Sequence, residues 1–229
     1  MTLNPSIGNM YEFLNDYPTK DANRGYTWNP IKGECPHNCI YCYMKIWKTI
    51  GKLRLVDKEL KTDLGKDNYI FIGSSTDMWA NDVPTEWIDK VLERCREFDN
   101  KYLFQSKNPK RFYEFLDKLP EKVVLGTTIE SNRDYNLGKV LSPVGRKMAM
   151  VGLGISYEKT ISIEPICDFD ITEFTNWIKD INPSFVSIGA DSKGHNLIEP
   201  DKEKIEKLIK NLERFTEVKS KSNLKRLMK

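Results

Sequence analysis

Three of the five cysteines in this 229-residue chain lie in one short segment, CPHNCIYC, at residues 35–42. A cube of four irons and four sulfides takes four ligands, one for each iron, and cysteine thiolates usually supply them. Cys35, Cys39 and Cys42 would therefore hold three irons and leave the fourth without a protein ligand. An open coordination position distinguishes a reactive metal site from a structural one. The spacing predicts a [4Fe-4S] cluster with these three residues as metal ligands and one position open to chemistry.

Other roles for the three cysteines are disfavoured by what surrounds them. A structural zinc site needs a fourth Cys or His, usually from a second knuckle. His37 lies between the cysteines but would strain to complete a tetrahedron with all three. Cys95, in a charged helical segment, and Cys167, after a predicted strand, do not form a second pair. A disulfide framework is disfavoured because the count is odd and no secretory signal peptide is recognised. Zinc and chance clustering stay open as alternatives.

The rest of the chain alternates between strand and helix patterns, which indicates how such a loop is positioned. Short apolar runs predict strands, and apolar residues at helical spacing predict the helices between them. The predicted strands cover residues 26–28, 68–73, 101–105, 122–129, 160–166 and 185–188. The predicted helices cover 84–98, 109–119, 146–153, 172–181 and 202–215. Six βα units imply a parallel sheet with right-handed crossovers. We predict an α/β fold, a partial (βα)6 TIM-like barrel, with a doubly wound sheet as the alternative.

Composition predicts one domain over residues 1–229 and no membrane association. Hydrophobic residues make up 39% and charged residues 30% of the chain, and no apolar run approaches the roughly 20 residues that span a bilayer. The net charge of +3 is too small to imply nucleic-acid binding. Basic residues concentrate in a C-terminal tail over 216–229, which a solvated helix end explains equally well. Unpaired cysteines and an oxygen-sensitive cluster indicate a reducing cytoplasm.

Polar residues follow the predicted strands where ligands of parallel α/β folds collect, at the carboxyl ends. The segments concerned are Gly73–Asp77, Gln105–Pro109, Thr127–Asn132, Glu164–Pro165 and Gly189–Ser192. Each alone is an ordinary loop with residues that can cap the next helix. Five in succession indicate a polar ring around one mouth of the barrel.

The cysteine loop, followed by an aromatic residue, resembles the signature of the radical SAM superfamily. This resemblance implies that S-adenosyl-L-methionine chelates the fourth iron and that reduction of the cluster cleaves it to a 5′-deoxyadenosyl radical. Trp28-Asn29-Pro30, the Gly-Ser-x-x-Asp segment at 73–77, Glu130, Ser-Ile-Glu-Pro at 162–165 and Ile-Gly-Ala-Asp at 188–191 resemble a phage-associated three-cysteine radical SAM family.

That family is similar in turn to spore photoproduct lyase, which shares the Cys-Pro-His loop, the Ser-Ser-Thr-Asp element at 74–77 and Lys-Asn-Pro at 107–109. The resemblance extends over residues 26–192. The chain departs from the lyase because it lacks a large N-terminal region. It also has no cysteine placed as that enzyme's hydrogen-atom donor, unless Cys167 serves.

The resemblance implies a set of residues around the cofactor. Ser74, Ser75 and Thr76 would face its methionine amino group, and Asp77 would accept from that group or from the ribose. Lys107 would face the carboxylate, with Ser106 or Thr128 adding a hydrogen bond. Glu130 would face the ribose hydroxyls. Tyr41 would pack near the adenine, in preference to Tyr43.

Substrate residues are expected on loops at the mouth. The candidates are Trp28, Asn29, Trp79, Arg133, Glu164, Asp191 and His195, and those for catalysis are Cys167, Glu164, Asp191 and His195. Trp79 is expected to be exposed because turn-like residues follow it. The favoured hypothesis is a radical SAM enzyme acting on a nucleobase, nucleotide or nucleic acid, with a flavodoxin- or ferredoxin-like reductant and a possible protein partner. A non-catalytic iron–sulfur or zinc module and a radical SAM enzyme that modifies peptides or proteins are the alternatives.

Overall fold

The computed structural model describes residues 3–5, 25–47 and 50–229. Its strands are β1 (Asn4–Pro5), β2 (Tyr26–Trp28), β3 (Ile31–Lys32), β4 (Arg54–Leu55), β5 (Tyr69–Ile72), β6 (Lys101–Gln105), β7 (Val123–Thr128), β8 (Glu158–Ile163), β9 (Phe185–Ile188) and β10 (Glu217–Ser220). Its α-helices are α1 (Thr85–Arg96), α2 (Pro143–Gly152), α3 (Ile171–Ile181) and α4 (Lys202–Leu212).

The described strands form one large sheet in the order β1-β2-β5-β6-β7-β8-β9-β10, and β3 pairs with β4 beside it. From β2 to β10 every neighbouring pair in this sheet is parallel, whereas the edge strand β1 is antiparallel to β2. All four residues of β5 and of β9 are buried, as expected for parallel strands covered on both faces. The predicted α/β fold is confirmed, and the sheet is consistent with a partial TIM-like barrel.

Each helix buries one face, and three of the four, α2, α3 and α4, begin at a side-chain cap. In α1 the buried residues Ile88, Val91, Leu92 and Cys95 recur at helical spacing. The Asp170 side chain caps α3 by accepting from the Glu173 amide, and α3 ends at Asn182 in the left-handed conformation. The helix predicted after Pro109 is a 3₁₀ helix over Pro109–Lys118. No helix in the described ranges has the length and apolar character needed to cross a membrane.

Trp79 lies in the core, so the expectation that it is exposed was wrong. Its side chain is fully buried and meets Phe104, Phe112 and Phe115 edge-to-face, with ring centroids 5.4, 4.9 and 5.6 Å away. Such aromatic pairs stabilise a core beyond their buried area. The turn-like residues after Trp79 indicate the local backbone conformation. They do not indicate which side chains from other elements pack against the indole ring.

The C-terminal segment is part of the domain and does not form the solvated helix end that its basic residues suggested. Glu217–Ser220 form β10, which pairs in parallel with β9 from Phe185 to Ile188. Lys221 and Leu224, directly after β10, are buried. Only one residue of β10, Val218, is apolar, and a strand with so few apolar positions has no strand pattern in the sequence.

Candidate metal and cofactor site

A cavity of about 240 Å³ lies at the carboxyl ends of the parallel strands. The cysteine loop after β2 forms one end of its lining, and the segments after β5 to β10 form the rest. Of the predicted site residues, those that line it are Cys35, Cys39, Tyr41, Cys42, Ser74, Ser75, Thr76, Asp77, Ser106, Lys107, Thr128, Glu164 and Asp191. Residues up to 156 positions apart in the chain, Cys35 and Asp191, therefore meet in one cavity, as the fold class predicts.

The cysteine loop is held from outside by residues 137–139, which sequence reasoning missed. The Ile40 amide donates to the Leu137 carbonyl at 2.9 Å, and the Lys139 amide donates to the His37 carbonyl at 2.7 Å. A Cβ atom on Gly138 would lie 2.8 Å from the His37 oxygen and 2.9 Å from the Cys39 Cα. Glycine is required there because the two backbones approach too closely for a side chain. In the sequence, the one sign of this close contact is a single glycine within a loop.

His37 is buried and makes two hydrogen bonds through its ring. Nδ1 lies 3.2 Å from the Lys139 carbonyl oxygen, and Nε2 lies 2.8 Å from Asp77 Oδ2. Both partners are acceptors, so both ring nitrogens can donate to them when the imidazole is protonated. Burial lowers the pKa of His37, but the hydrogen bond to Asp77 and its charge outweigh burial and raise it. With both nitrogens occupied, His37 is not placed to act as the fourth ligand of a zinc site.

Asp77 joins the cysteine loop to the ends of β5 and β6. Its Oδ2 accepts from His37, from the Ser106 hydroxyl at 2.9 Å and from the Lys107 amide at 2.9 Å. Its Oδ1 accepts from the Trp79 amide at 2.9 Å. Burial alone would raise the pKa of Asp77. The hydrogen bond from His37 and its charge have the larger effect, and the pKa of Asp77 is lowered. These contacts make Asp77 a positioning residue, a role that the sequence analysis did not predict.

Lys107 lines the cavity and pairs with Glu130 behind it. Its Nζ lies 2.7 Å from Glu130 Oε1 and also donates to the Tyr41 hydroxyl, which in turn donates to Glu130. Arg146, on α2, lies 2.7 Å from Glu130 Oε2. Burial raises the pKa of Glu130, but the charges of Lys107 and Arg146 outweigh it and hold the pKa at about 2. Burial and the Glu130 charge raise the pKa of Tyr41, which stays a neutral phenol.

Glu130 therefore lies behind the cavity lining, although it was predicted to face the ribose. Its side chain is 3% exposed, and its two oxygens are occupied by Lys107, Tyr41 and Arg146. The protein itself supplies the anionic partner of Lys107, which the sequence analysis sought in the methionine carboxylate. Arg146 was missed because nothing in a helical segment distinguishes an inward-facing arginine before the packing of α2 is known.

Asn29, predicted to contact substrate, instead orders the loop after β5. Its Nδ2 donates to the Ser74 hydroxyl at 3.1 Å, and its Oδ1 accepts from the Ser75 amide at 2.9 Å. The Tyr43 hydroxyl donates to the Ser74 carbonyl at 2.9 Å, and the Thr76 hydroxyl donates to the Gly33 carbonyl at 2.8 Å. The cysteine loop and the hydroxyl-rich loop are thus one hydrogen-bonded unit at the cavity wall.

Cys35, Cys39 and Cys42, all from one loop, line this cavity. Burial raises the pKa of Cys35 to about 12, with the Asp77 charge adding to it, and burial also raises the pKa of Cys39. In the described part of the chain, no three or more His, Cys, Asp or Glu side chains are grouped as ligands of a single ion. In a [4Fe-4S] cube each cysteine binds a different iron. Three separate thiols around an open cavity fit that donor set.

The far end of the cavity is formed by the ends of β8, β9 and β10. Glu164 accepts from Lys221 and, at 2.6 Å, from Asn223. A Cβ atom on Gly189 would lie 2.7 Å from Glu164 Oε1 and 2.8 Å from Asn223 Oδ1, so a side chain at this position would displace the ends of these two side chains. Asp191 accepts from His195 Nδ1 at 2.7 Å. Burial raises the pKa of Asp191, and the bond from His195 outweighs it and lowers the pKa.

Several candidates lie away from the cavity lining. Cys167 is 1% exposed, its Sγ lies 3.9 Å from the Pro165 carbonyl, and burial raises its pKa to about 12. The structure therefore places this thiol behind the wall and not at the mouth. Trp28 is buried and donates through Nε1 to the Glu59 carbonyl at 3.2 Å. Arg133 pairs with Asp168 outside the cavity. His195 reaches the site through Asp191 alone. Burial, or pairing with residues distant in the chain, explains why each of these candidates lies away from the cavity lining.

The model of a family described as "Protein of unknown function (DUF5131)" matches residues 22–178 of the chain. The chain belongs to this family. No curated protein matches the chain. The DUF5131 match contains the cysteine loop and the strand ends from β2 to β8. It leaves the β9 and β10 side of the cavity outside the matched range.

Solved structures with the same fold include two radical SAM enzymes. A cysteine mutant of spore photoproduct lyase is 16% identical, with a TM-score of 0.60, and the match covers 90% of this chain and 78% of that one. A lyase mutant with dinucleoside spore photoproduct is 15% identical, with a TM-score of 0.57 and coverage of 87% and 63%. Streptococcus suis SuiB, bound to S-adenosylmethionine, is 12% identical, with a TM-score of 0.58 and coverage of 85% and 49%.

The chain thus spans less than two thirds of the lyase complex and about half of SuiB. At these identities the likeness shows a shared fold, which agrees with the predicted α/β architecture of a partial TIM-like barrel. The phage association and the cytoplasmic location stay predictions.

Proposed function

We propose that this chain is a radical SAM enzyme. The observation that carries the proposal is the cavity itself. Three thiols from one loop line the same cavity as the hydroxyl-rich segment Ser74–Asp77 and as Lys107, at the carboxyl ends of parallel strands. Cys35, Cys39 and Cys42 would hold a [4Fe-4S] cluster. The chemistry that this group supplies when bound is reductive cleavage of S-adenosyl-L-methionine to a 5′-deoxyadenosyl radical.

The chain's own residues would bind and orient the cofactor. Ser74 and Ser75 line the cavity on a loop that Asn29 holds in place. Thr128 accepts from Gln105 Nε2 at 3.1 Å, so its hydroxyl proton can be donated to a ligand. Lys107 offers a cation that Glu130 and Tyr41 keep in position. His37 and Asp77 would keep the cysteine loop in register with these groups.

The substrate that we favour is a nucleobase, a nucleotide or a nucleic acid. Support comes from the structures of the lyase with a dinucleoside spore photoproduct, and from the polar far end of the cavity. Glu164, Asp191 and Lys221 would contact the substrate there. A base within a duplex would have to be extruded to reach this cavity. A peptide is the second candidate because a SuiB structure contains a precursor peptide.

Anaerobic reconstitution tests the cofactor part of the proposal. We expect about four irons per chain and slow formation of 5′-deoxyadenosine after reduction in the presence of S-adenosyl-L-methionine. Cys35→Ala, Cys39→Ala and Cys42→Ala should abolish both properties. Cys95→Ala is the matched control because Cys95 is buried in α1, away from the cavity. Stoichiometric zinc without cofactor cleavage would contradict the proposal.

The substrate class can be tested with the same reduced protein. An oligonucleotide that accelerates 5′-deoxyadenosine formation above the rate without substrate would support the nucleic-acid hypothesis. Acceleration by peptides, with none by nucleotides or oligonucleotides, would replace it with the peptide hypothesis. The product's mass then identifies the modified molecule.

A further inference from the structure

Three large apolar side chains next to the cysteine loop are exposed to solvent. Ile40 is 46%, Ile46 60% and Trp47 62% exposed. Ile40 lies between Cys39 and Tyr41, which both line the cavity. Ile46 ends a 3₁₀ helix that begins one residue after Cys42. At the usual rise of 3₁₀ and extended backbone, the Cα atoms of Trp47 and Cys42 lie within roughly 13 Å of each other.

Two exposed cations are in contact with the same loop. Lys45 Nζ donates to the Asn38 carbonyl at 3.4 Å, between Cys35 and Cys39 in the chain. The Lys139 amide donates to the His37 carbonyl at 2.7 Å, and the Lys139 side chain is exposed. We call Ile40, Lys45, Ile46, Trp47 and Lys139 the loop face.

The charge around the loop face is positive. Lys52 and Arg54 are exposed beside it, on a segment joined to the loop by the Glu34 amide, which donates to the Gly51 carbonyl at 3.0 Å. Within the cysteine loop, residues 50–54 and residues 137–139, the exposed carboxylate is that of Glu34. Four exposed cations against one exposed anion give an apolar patch with a cationic rim.

We propose that the loop face docks the electron donor of the cluster, a redox protein with an acidic rim such as a flavodoxin. The inference rests on the proposed function. Electron-transfer partners form small interfaces and depend on electrostatic steering. None of the five loop-face residues lines the cavity that the thiols of the same loop line, so a donor seated on the loop face leaves the cavity to cofactor and substrate. One electron leaves the donor's flavin and enters the cluster, and no bond is made or broken.

The test compares two reductants on the anaerobic, cluster-loaded protein. Flavodoxin hydroquinone and dithionite are each mixed with the protein in a stopped-flow instrument, and loss of cluster absorbance gives the rate of reduction. The double variant Lys45→Glu/Lys139→Glu should lower the flavodoxin rate about tenfold or more at low salt. The dithionite rate should be unchanged, because a small reductant needs no docking face. Lys207→Glu/Lys210→Glu, with the same charge change on the exposed side of α4, is the matched control.

Two further measurements keep the inference testable if the variant assembles its cluster poorly. The wild-type flavodoxin rate should fall with ionic strength, and Trp47→Ser should weaken flavodoxin binding to the cluster-free chain in a fluorescence titration. Equal flavodoxin rates in the loop-face variant and the wild type, or an equal loss in the α4 control, would overturn the docking inference. Absence of any cluster reducible by dithionite would instead refute the proposed function.

Discussion

At the scale of single residues, the position of Lys107 decides between two roles. Its ammonium lines the cavity and lies 2.7 Å from Glu130, so it can serve the cofactor, the fold or both. Hydrogen bonds to charged groups contribute about 1.5–3 kcal/mol. Lys107→Met should therefore weaken binding of S-adenosyl-L-methionine by roughly ten- to a hundredfold, measured by equilibrium titration. Cluster assembly should survive, because Lys107 is not a metal ligand.

Arg146→Met is the control for Lys107, because Arg146 shares the Glu130 partner but does not line the cavity. It should lower the urea midpoint of unfolding and leave cofactor affinity nearly unchanged. If Lys107→Met behaves like Arg146→Met, with lower stability and unchanged affinity for S-adenosyl-L-methionine, both cations serve the fold alone.

A second residue-scale prediction concerns the close contact behind the cysteine loop. Gly138→Ala places a methyl group 2.8 Å from the His37 oxygen, so the loop or the 137–139 segment must move. We expect the variant to fold but to retain less iron after reconstitution, with the loss read from iron analysis and cluster absorbance. Val140→Ala, two residues further along, should retain the wild-type iron content. Full iron content in Gly138→Ala would show that the loop tolerates displacement.

At the scale of elements, an acidic side chain ties α4 to the loop after β7. Asp168 pairs with Lys204 at the start of α4 and with Arg133 in that loop. Burial raises the pKa of Asp168, and the hydrogen bond from Lys204 and the neighbouring charges outweigh it and lower the pKa. A lowered pKa stabilises the fold above the carboxyl's unfolded pKa of about 3.9, and this contribution is lost as pH falls through the folded pKa.

Unfolding at different pH values tests this pairing. The difference in urea midpoint between the wild type and Asp168→Asn should be constant from about pH 7 to 5 and should shrink below about pH 4. Asp180→Asn, near the end of α3, removes a carboxylate that pairs with Lys147 and whose side chain is 54% exposed; it serves as a comparison and should change the midpoint less. A difference that persists unchanged to the lowest pH would contradict the assignment to Asp168.

At the scale of the whole molecule, the last strand closes one side of the cavity. Removing residues 217–229 removes β10, exposes the edge of β9 and takes away Lys221, the partner of Glu164. An exposed edge strand promotes association with other chains. We expect the truncated protein to unfold at lower urea concentration and to aggregate, as seen by light scattering. Deleting Lys229 alone should change neither property, and a stable, monomeric truncated protein would show that β10 is dispensable.

The cysteine loop and the alternation of strands and helices were readable in the sequence because both are local patterns. Ligand spacing is a matter of a few neighbouring residues, and a buried parallel strand is a short apolar run. The boundaries of β6 and β9 were predicted at their observed residues, 101–105 and 185–188. Placement of ligands at strand ends followed from the fold class, so most of the cavity lining could be predicted before any contact was known.

The partners within the site could not be predicted in this way, because they join residues far apart in the chain. His37 meets Asp77 across 40 positions, and Lys221 meets Glu164 across 57. No local pattern marks Arg146 as the partner of Glu130, Gly138 as the contact of the cysteine loop or Glu217–Ser220 as a strand. The direction in which each side chain points depends on how the sheet curves and how α2 packs on it. For that reason Trp79 and Cys167 lie in the interior, and Asp77 is a hub of protein contacts.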